Sequence, residues 1–335
     1  MDLTPYKNLL QNVKLQIQTA RTKAALAVNR ELIVLYWNIG QHILKKQAEE
    51  DWGSKIIDQL SADLKKAFPD MKGISSRNLK YMRQFASIYD NIEFVQVPLA
   101  QITWYHNIAL MSKLRSNEKR IWYAQKTIEN GWSRNVLVHQ VALQLYERQG
   151  KAIHNFNTTL PHPQSDLVRE TLKDPYIFDF LTGEEKMQEL QLEKALTQHI
   201  SQFLLELGAG FAFIGRQYHL LVGDKDYYID LLFYHTKLHC YVAIDLKTGE
   251  LVPEFVGKMN FYLSALDDNL KTERDSPSIG LILCKSKNKI VAEYALRGMT
   301  QPIGISDYKF PAELERQLPS IAEIEEELSK EVEKE

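Results

Sequence analysis

The sequence predicts an α+β protein in two parts, an all-α amino-terminal domain followed by an α/β carboxy-terminal domain. Three observations carry that expectation. Over residues 8–48 the apolar residues Leu26, Leu32, Ile33, Tyr36, Ile39, Ile43 and Leu44 recur at three- and four-residue intervals, the period of one helix face. From residue 211 onward short β-prone runs replace that pattern, near 211–222, 227–234 and 238–246. At 335 residues the chain is also long enough for two separate cores.

In the first half a second amphipathic helix is expected over 54–68, ended by Phe68-Pro69. Gly73-Ile74-Ser75-Ser76 breaks the pattern, and Ser75 or Ser76 can cap a helix running from Arg77 to Tyr89. Further helices are expected near 106–114, 117–130 and 134–149. The pair 54–68 and 77–89 resembles a helix-turn-helix, with a longer turn than the minimal unit. Arg77, Lys80, Arg83 and Gln84 then fall at three- and four-residue spacing, able to face a groove or phosphates. The plain alternative is an amphipathic helix with a solvated basic face. Trp37, Trp52, Trp104, Trp122 and Trp132 are expected in packing roles.

Residues 1–150 thus form the expected helical domain, and 151–175, rich in His, Pro and Thr, a linker in which 165–172 can form a short helix. Residues 176–311 form the second domain and 312–335 an acidic tail. A helix is expected over 184–207, stopped by Gly208. The three strands that follow are joined by the turns Gly223-Asp224-Lys225-Asp226 and His235-Thr236-Lys237. A helix over 254–267, a strand over 279–284, a helix over 288–297 and a strand near 302–307 complete the order.

Composition bounds what the protein can be. No apolar run approaches membrane-spanning length, and the start lacks the apolar stretch of a secretion signal. Cys240 and Cys284 are the only cysteines, which fits a reducing cytoplasm and excludes a cysteine-rich zinc module. The net charge of −2 conceals an asymmetry. Residues 1–150 hold 21 Lys and Arg against 13 Asp and Glu, whereas the remainder holds 20 against 30. A basic amino-terminal half favours a polyanionic partner.

The chemistry concentrates between Gly223 and Lys247. Asp230 and Asp245 each sit in an apolar, β-prone run, near the ends of adjacent strands in one hairpin. A carboxylate there is costly to bury unless something pairs with it. A divalent cation is the usual remedy, and an all-oxygen site favours Mg2+ or Mn2+. Lys247 lies two residues beyond Asp245, so both side chains leave the same strand face. An ammonium so placed can orient water or stabilise developing negative charge. The bland reading is a salt-bridged strand residue and an exposed strand end.

These residues resemble the PD-(D/E)XK phosphodiesterases, and the surrounding words narrow the likeness. Leu35-Tyr36-Trp37-Asn38-Ile39-Gly40, Asn130-Gly131-Trp132-Ser133, Gly215-Arg216-Gln217 and Ile279-Gly280-Leu281-Ile282-Leu283-Cys284-Lys285 are similar to the YhcG-like family. The resemblance implies a restriction-endonuclease-like domain with a mixed central sheet, a magnesium-dependent DNA endonuclease activity and a homodimer, with RNA left open as substrate. It implies metal ligation by Asp230, Asp245 and the Leu246 carbonyl, and 5′-phosphate products. It also places Glu193 toward the metal, with Glu189 as a competitor one turn earlier, and Gln217 near the site. Lys258 stands where family members commonly carry glutamine; with Tyr262, four residues on, it can line the cleft and contact nucleic acid. Two other readings stay open: a catalytically silent DNA-binding regulator, or a protein-interaction subunit.

Overall fold

The computed structural model describes residues 4–50, 55–91, 98–181 and 187–310. Trp52 and the acidic tail 312–335 lie outside the described residues. Contacts divide the chain into two compact units, with the boundary between Val141 and Ala142.

The first unit holds helices α1 (Thr4–Glu50), α2 (Lys55–Ala67), α3 (Ser76–Ile88), α4 (Trp104–Lys113), α5 (Asn117–Asn130) and α6 (Arg134–Ala142). Its described residues include no strand. Ser75 is the cap of α3, its side chain accepting from the Asn78 backbone N–H. The carboxy-terminal part of α1 packs on α3 at very short range. A Cβ at Gly40 would lie 2.1 Å from the Met82 carbonyl oxygen, so only glycine admits this approach. Trp37 Nε1 donates to the Tyr89 carbonyl at 2.6 Å, and Gln41 donates to the Ala86 carbonyl. Tyr36, Phe85 and Trp104 meet edge to face beneath these bonds, which places Trp104 in the core.

The expected helix over 134–149 is broken. Gln144 adopts φ +53, and a single turn, α7 (Leu145–Arg148), follows. Arg148 is buried in the second unit, where its Nη1 lies 2.6 Å from Glu206 Oε1 and also donates to the Pro175 carbonyl. Lys173 joins the same buried carboxylate at 3.6 Å. Burial, only partly offset by Glu206, pulls the Lys173 ammonium down to about 8.

The segment 151–175 does not hang free as a linker. It carries β1 (Ile153–His154), α8 (Phe156–Thr159) and α9 (Gln164–Thr171), followed by β2 (Tyr176–Ile177). Phe156, Leu160, Val168 and Leu172 are buried in the same core cluster as the sheet residues Leu231 and Ile244. Next come α10 (Glu189–Gln198), α11 (Ile200–Leu207), β3 (Phe211–Val222), β4 (Lys225–His235) and β5 (Cys240–Glu250). The chain continues through α12 (Pro253–Asn269), β6 (Ile279–Ser286), α13 (Lys289–Leu296) and β7 (Ile303–Lys309).

The sheet runs β1-β7-β6-β5-β4-β3, with β2 pairing β7 in parallel. The β3–β4–β5 meander is antiparallel and β5–β6–β7 is parallel, so the sheet is mixed. Leu231, Phe233, Val242 and Ile244 point to one face, toward α10 and α11 residues such as Leu192 and Phe203. Leu232 and Ala243 point to the other, against Met259 and Leu263 of α12. The single helix expected over 184–207 is two, parted at His199.

Candidate active site

The two acidic residues do not end their strands. The β4–β5 ladder runs from His235–Cys240 to Leu231–Ile244, and the next register position sets Asp230 opposite Asp245. There the two strands stop pairing, although β4 goes on pairing with β3 and β5 with β6. The parting opens a notch inside the sheet, and the carboxylates stand at its apex. Asp230 Oδ2 accepts from the freed Leu246 backbone N–H at 2.8 Å. Burial first, and then the facing Asp245, push the Asp230 carboxyl up to about 6.

Asp245 is 1% exposed, and two ammoniums neutralise it. Lys247 Nζ lies 2.9 Å from its Oδ2, and Lys258 Nζ lies 3.4 Å from its Oδ1. Lys247 also donates to the Leu246 carbonyl at 3.0 Å and pairs with Glu189 Oε2 at 3.3 Å. Burial tends to lower the Lys247 ammonium, but Asp245, Asp230 and Glu189 together hold it above its ordinary value. Lys258 lies 5.1 Å over the Tyr262 ring, so residues four apart on α12 do share the face toward the notch.

Glu193 and Glu189 divide the work that sequence spacing left between them. Glu189 reaches the lysine, whereas Glu193, 1% exposed, pairs with Arg216 Nε at 3.2 Å and accepts from Gln217. Burial raises the Glu193 carboxyl despite both partners. Gln217 lies 3.5 Å from Asp230 Oδ1 and so links Glu193 to the notch. It does so from an unusual backbone, φ +48, within a strand whose register shifts between Phe213 and Gly215. Non-glycine residues rarely adopt that conformation, and such strain gathers at functional sites. The Leu246 N–H also belongs to the constellation, as does Arg216, which the sequence offered only as part of Gly215-Arg216-Gln217 and without a site role.

On α3, Arg77, Lys80 and Gln84 are exposed, and their spacing puts them on one face. Lys80 Nζ is 3.8 Å from Asp58 Oδ1 of α2, and the Arg77 guanidinium lies 5.7 Å over Tyr81. Arg83 turns toward α1, donating to Gln47 Oε1 at 3.1 Å, and is only partly exposed. His235, the last residue of β4 and at the end of the β4–β5 ladder away from the notch, is buried against Phe211 and held neutral, its imidazole pushed down to about 4 by burial.

The donor set suits a hard divalent cation of the two-carboxylate kind. Asp245 Oδ2 and Glu193 Oε1 are buried yet lack a partner in hydrogen-bond geometry, their cations approaching as ion pairs only. Each oxygen therefore keeps an open acceptor direction. Among the described residues no three His, Cys, Asp or Glu side chains converge on one point. The carboxylate pair with the Leu246 carbonyl is what the notch offers.

The mixed sheet flanked by helices agrees with a nuclease domain of the PD-(D/E)XK class. Residues 169–329 match the YhcG PDDEXK nuclease domain, and residues 12–148 match the DUF1016 N-terminal domain. Together the two matches liken the chain, over most of its length, to the YhcG-like nuclease-domain proteins. It is 28% identical over 348 residues to the protein called "Putative nuclease YhcG" of Escherichia coli strain K12, across 93% of this chain and 92% of the relative. Two solved structures share a smaller part. A repair endonuclease from Pyrococcus abyssi is 16% identical over 37% of this chain and 48% of its own, with a TM-score of 0.26. An EndoMS complex with double-stranded DNA is 15% identical over 39% and 48%, with the same score. The chain thus spans about half the length of those structures. Nucleases of the PD-(D/E)XK class generally use divalent metal ions.

Proposed function

We infer that the protein is a magnesium-dependent endonuclease that hydrolyses the phosphodiester backbone of DNA at the Asp230–Asp245–Lys247 cluster. One observation carries this reading: two facing carboxylates and a buried ammonium meet where β4 and β5 part. Buried charges this close are a poor way to stabilise a fold, and apolar residues of similar volume would serve it as well or better. The match of residues 169–329 to a nuclease domain supports the same conclusion.

Asp230, Asp245 and the Leu246 carbonyl would hold Mg2+, or Mn2+ in its place, and Glu193 stands behind them through Gln217. When bound, the ion supplies Lewis-acid neutralisation of the phosphoryl charge. Lys247, fixed by Asp245 and Glu189, presents its ammonium to the negative charge that develops on the phosphoryl oxygens, or orients the attacking water. Lys258 can leave Asp245 for a substrate phosphate as a point charge, with Tyr262 beneath it. Water forms the new P–O bond as the P–O3′ bond breaks, leaving 5′-phosphate and 3′-hydroxyl ends. The exposed face of Arg77, Lys80 and Gln84, with Arg83 beside it, supplies backbone contacts from the helical unit. The two buried free cysteines agree with a cytoplasmic setting.

The test is cleavage of supercoiled plasmid, with a single-stranded RNA in parallel, in Mg2+, Mn2+ and EDTA. The native chain is expected to nick or linearise the plasmid only with metal. Asp245→Ala and Lys247→Ala are each expected to lose about 100-fold or more in rate. Plasmid binding without cleavage would replace this reading with that of a DNA-binding regulator, and cleavage confined to RNA would change the substrate.

A further inference from the structure

The first half of α1 leaves its described side chains exposed. From Tyr6 to Val28 every residue with a described side chain is exposed, and burial begins only with Asn29 and Ile33. Yet this stretch is not polar. Tyr6, Leu10, Val13 and Ile17 are 61, 38, 41 and 50% exposed, and Ala20, Ala24 and Ala27 extend the same series. Their spacing is 4, 3, 4, 3, 4, 3, an uninterrupted a/d heptad seam over about 33 Å of helix.

We propose that this seam is a dimerisation surface that receives the same segment of a second copy, running antiparallel. The seam is large at one end and small at the other, and so is complementary to its own inverse. In an antiparallel coiled coil each a residue faces a d residue. One shift then sets Leu10 against the partner's Ala27, Val13 against the partner's Ala24 and Ile17 against the partner's Ala20. Each of these three layers pairs one large with one small side chain, and the same register sets Tyr6 against the partner's Glu31. The pairing is isologous, so it closes as a dimer and does not propagate.

The charges flanking the seam add a signature. Residues 4–28 carry Lys7, Lys14, Arg21 and Lys23 and no acid. The antiparallel register brings Lys14 near the partner's Arg21 on both sides. Those like charges oppose the apolar seam and are screened by salt. A homotypic dimer therefore tightens as ionic strength rises, whereas an acidic or nucleic-acid occupant of the same face would loosen. With alanine at three of seven positions the seam offers less area than the roughly 800 Å² per partner of a standard interface. The dimer is accordingly concentration-dependent. It involves none of the residues assigned to phosphodiester hydrolysis and stands or falls apart from that reading.

Sedimentation equilibrium on the full chain, from about 1 to 100 µM at low and high salt, reads the association. Native protein is expected to pass from monomer to dimer, at lower concentration in high salt. The double variant Leu10→Glu with Ile17→Glu is expected to stay monomeric with an unchanged unfolding midpoint, since both positions are exposed in the monomer. Leu15→Glu, exposed and apolar but off the seam, is expected to dimerise like the native chain. Mixing Leu10→Cys with Ala27→Cys under mild oxidation should give the mixed disulfide in preference to either like pair. A monomer throughout, a dimer indifferent to the double substitution, or like-with-like crosslinking would overturn the proposal.

Discussion

At neutral pH the Asp230 carboxylate carries a charge that its surroundings disfavour. Burial and the facing Asp245 raise its folded value to about 6, against the ordinary value near 3.8. A group raised on folding favours the folded state fully below its unfolded value and loses that contribution as pH rises through the folded one. Above pH 6 the ionised Asp230 is therefore a net cost, on the order of 1–2 kcal/mol after discounting for its partial exposure. Asp230→Asn is expected to raise thermal stability by that amount at pH 7.5 in EDTA. The gain should fade as pH drops from 6 toward 4. A loss of stability at pH 7.5 would mean that the charge is structural, held for the fold by Leu246 N–H. The two-residue spacing of Asp245 and Lys247 on one strand was enough to place them on one face, and the structure sets them 2.9 Å apart. Nothing local in the sequence signals the φ +48 of Gln217, because a glutamine in a strand carries no mark of a left-handed backbone. The role of Arg216 was hidden for a related reason: its carboxylate partner lies 23 positions away on another element.

Among the elements, the close crossing of α1 and α3 depends on one residue without a side chain. Gly40→Ala would thrust a Cβ into the Met82 carbonyl and the Ala86 methyl, and the backbone on one side cannot yield as a flexible side chain would. The helical unit is expected to lose about 1–3 kcal/mol, read as a lower midpoint in chemical unfolding. Gly40→Ala with native stability would place the helices farther apart than described. The elements legible in the sequence were those long enough to show a period: α1, the β3–β5 meander, α12 and β6. Of the segment 151–175 only the short helix near 165–172 was legible, because its strands are two residues long and its other helix a single turn. Prolines and histidines dominate such a stretch to the eye, while Phe156, Leu160, Val168 and Leu172 anchor it in the core. The break between α10 and α11 at His199 likewise leaves no glycine or proline to announce it. The parting of β4 from β5 is a property of pairing rather than of either strand. The acids therefore read as strand ends when they are mid-strand.

The whole molecule joins a basic helical unit to an acidic unit that carries a sheet notch, and none of the described helices is long and apolar enough to cross a membrane. Its central feature is the notch, where Asp230 and Asp245 face each other and both lysines pair with Asp245, leaving the partly buried Asp230 charge without an ammonium of its own among the described residues. If that arrangement exists to hold a divalent cation, cation uptake must depend on both carboxylates and must stabilise the chain. Calorimetric titration of Mn2+ into native protein, Asp230→Asn and Asp245→Asn reads this directly, with unfolding midpoints measured alongside. Native protein is expected to bind the ion and to gain about 2.7 kcal/mol at a hundredfold excess over its dissociation constant, with both variants losing the binding and the gain. Equal uptake by all three chains, or uptake without stabilisation, would contradict a metal site between Asp230 and Asp245.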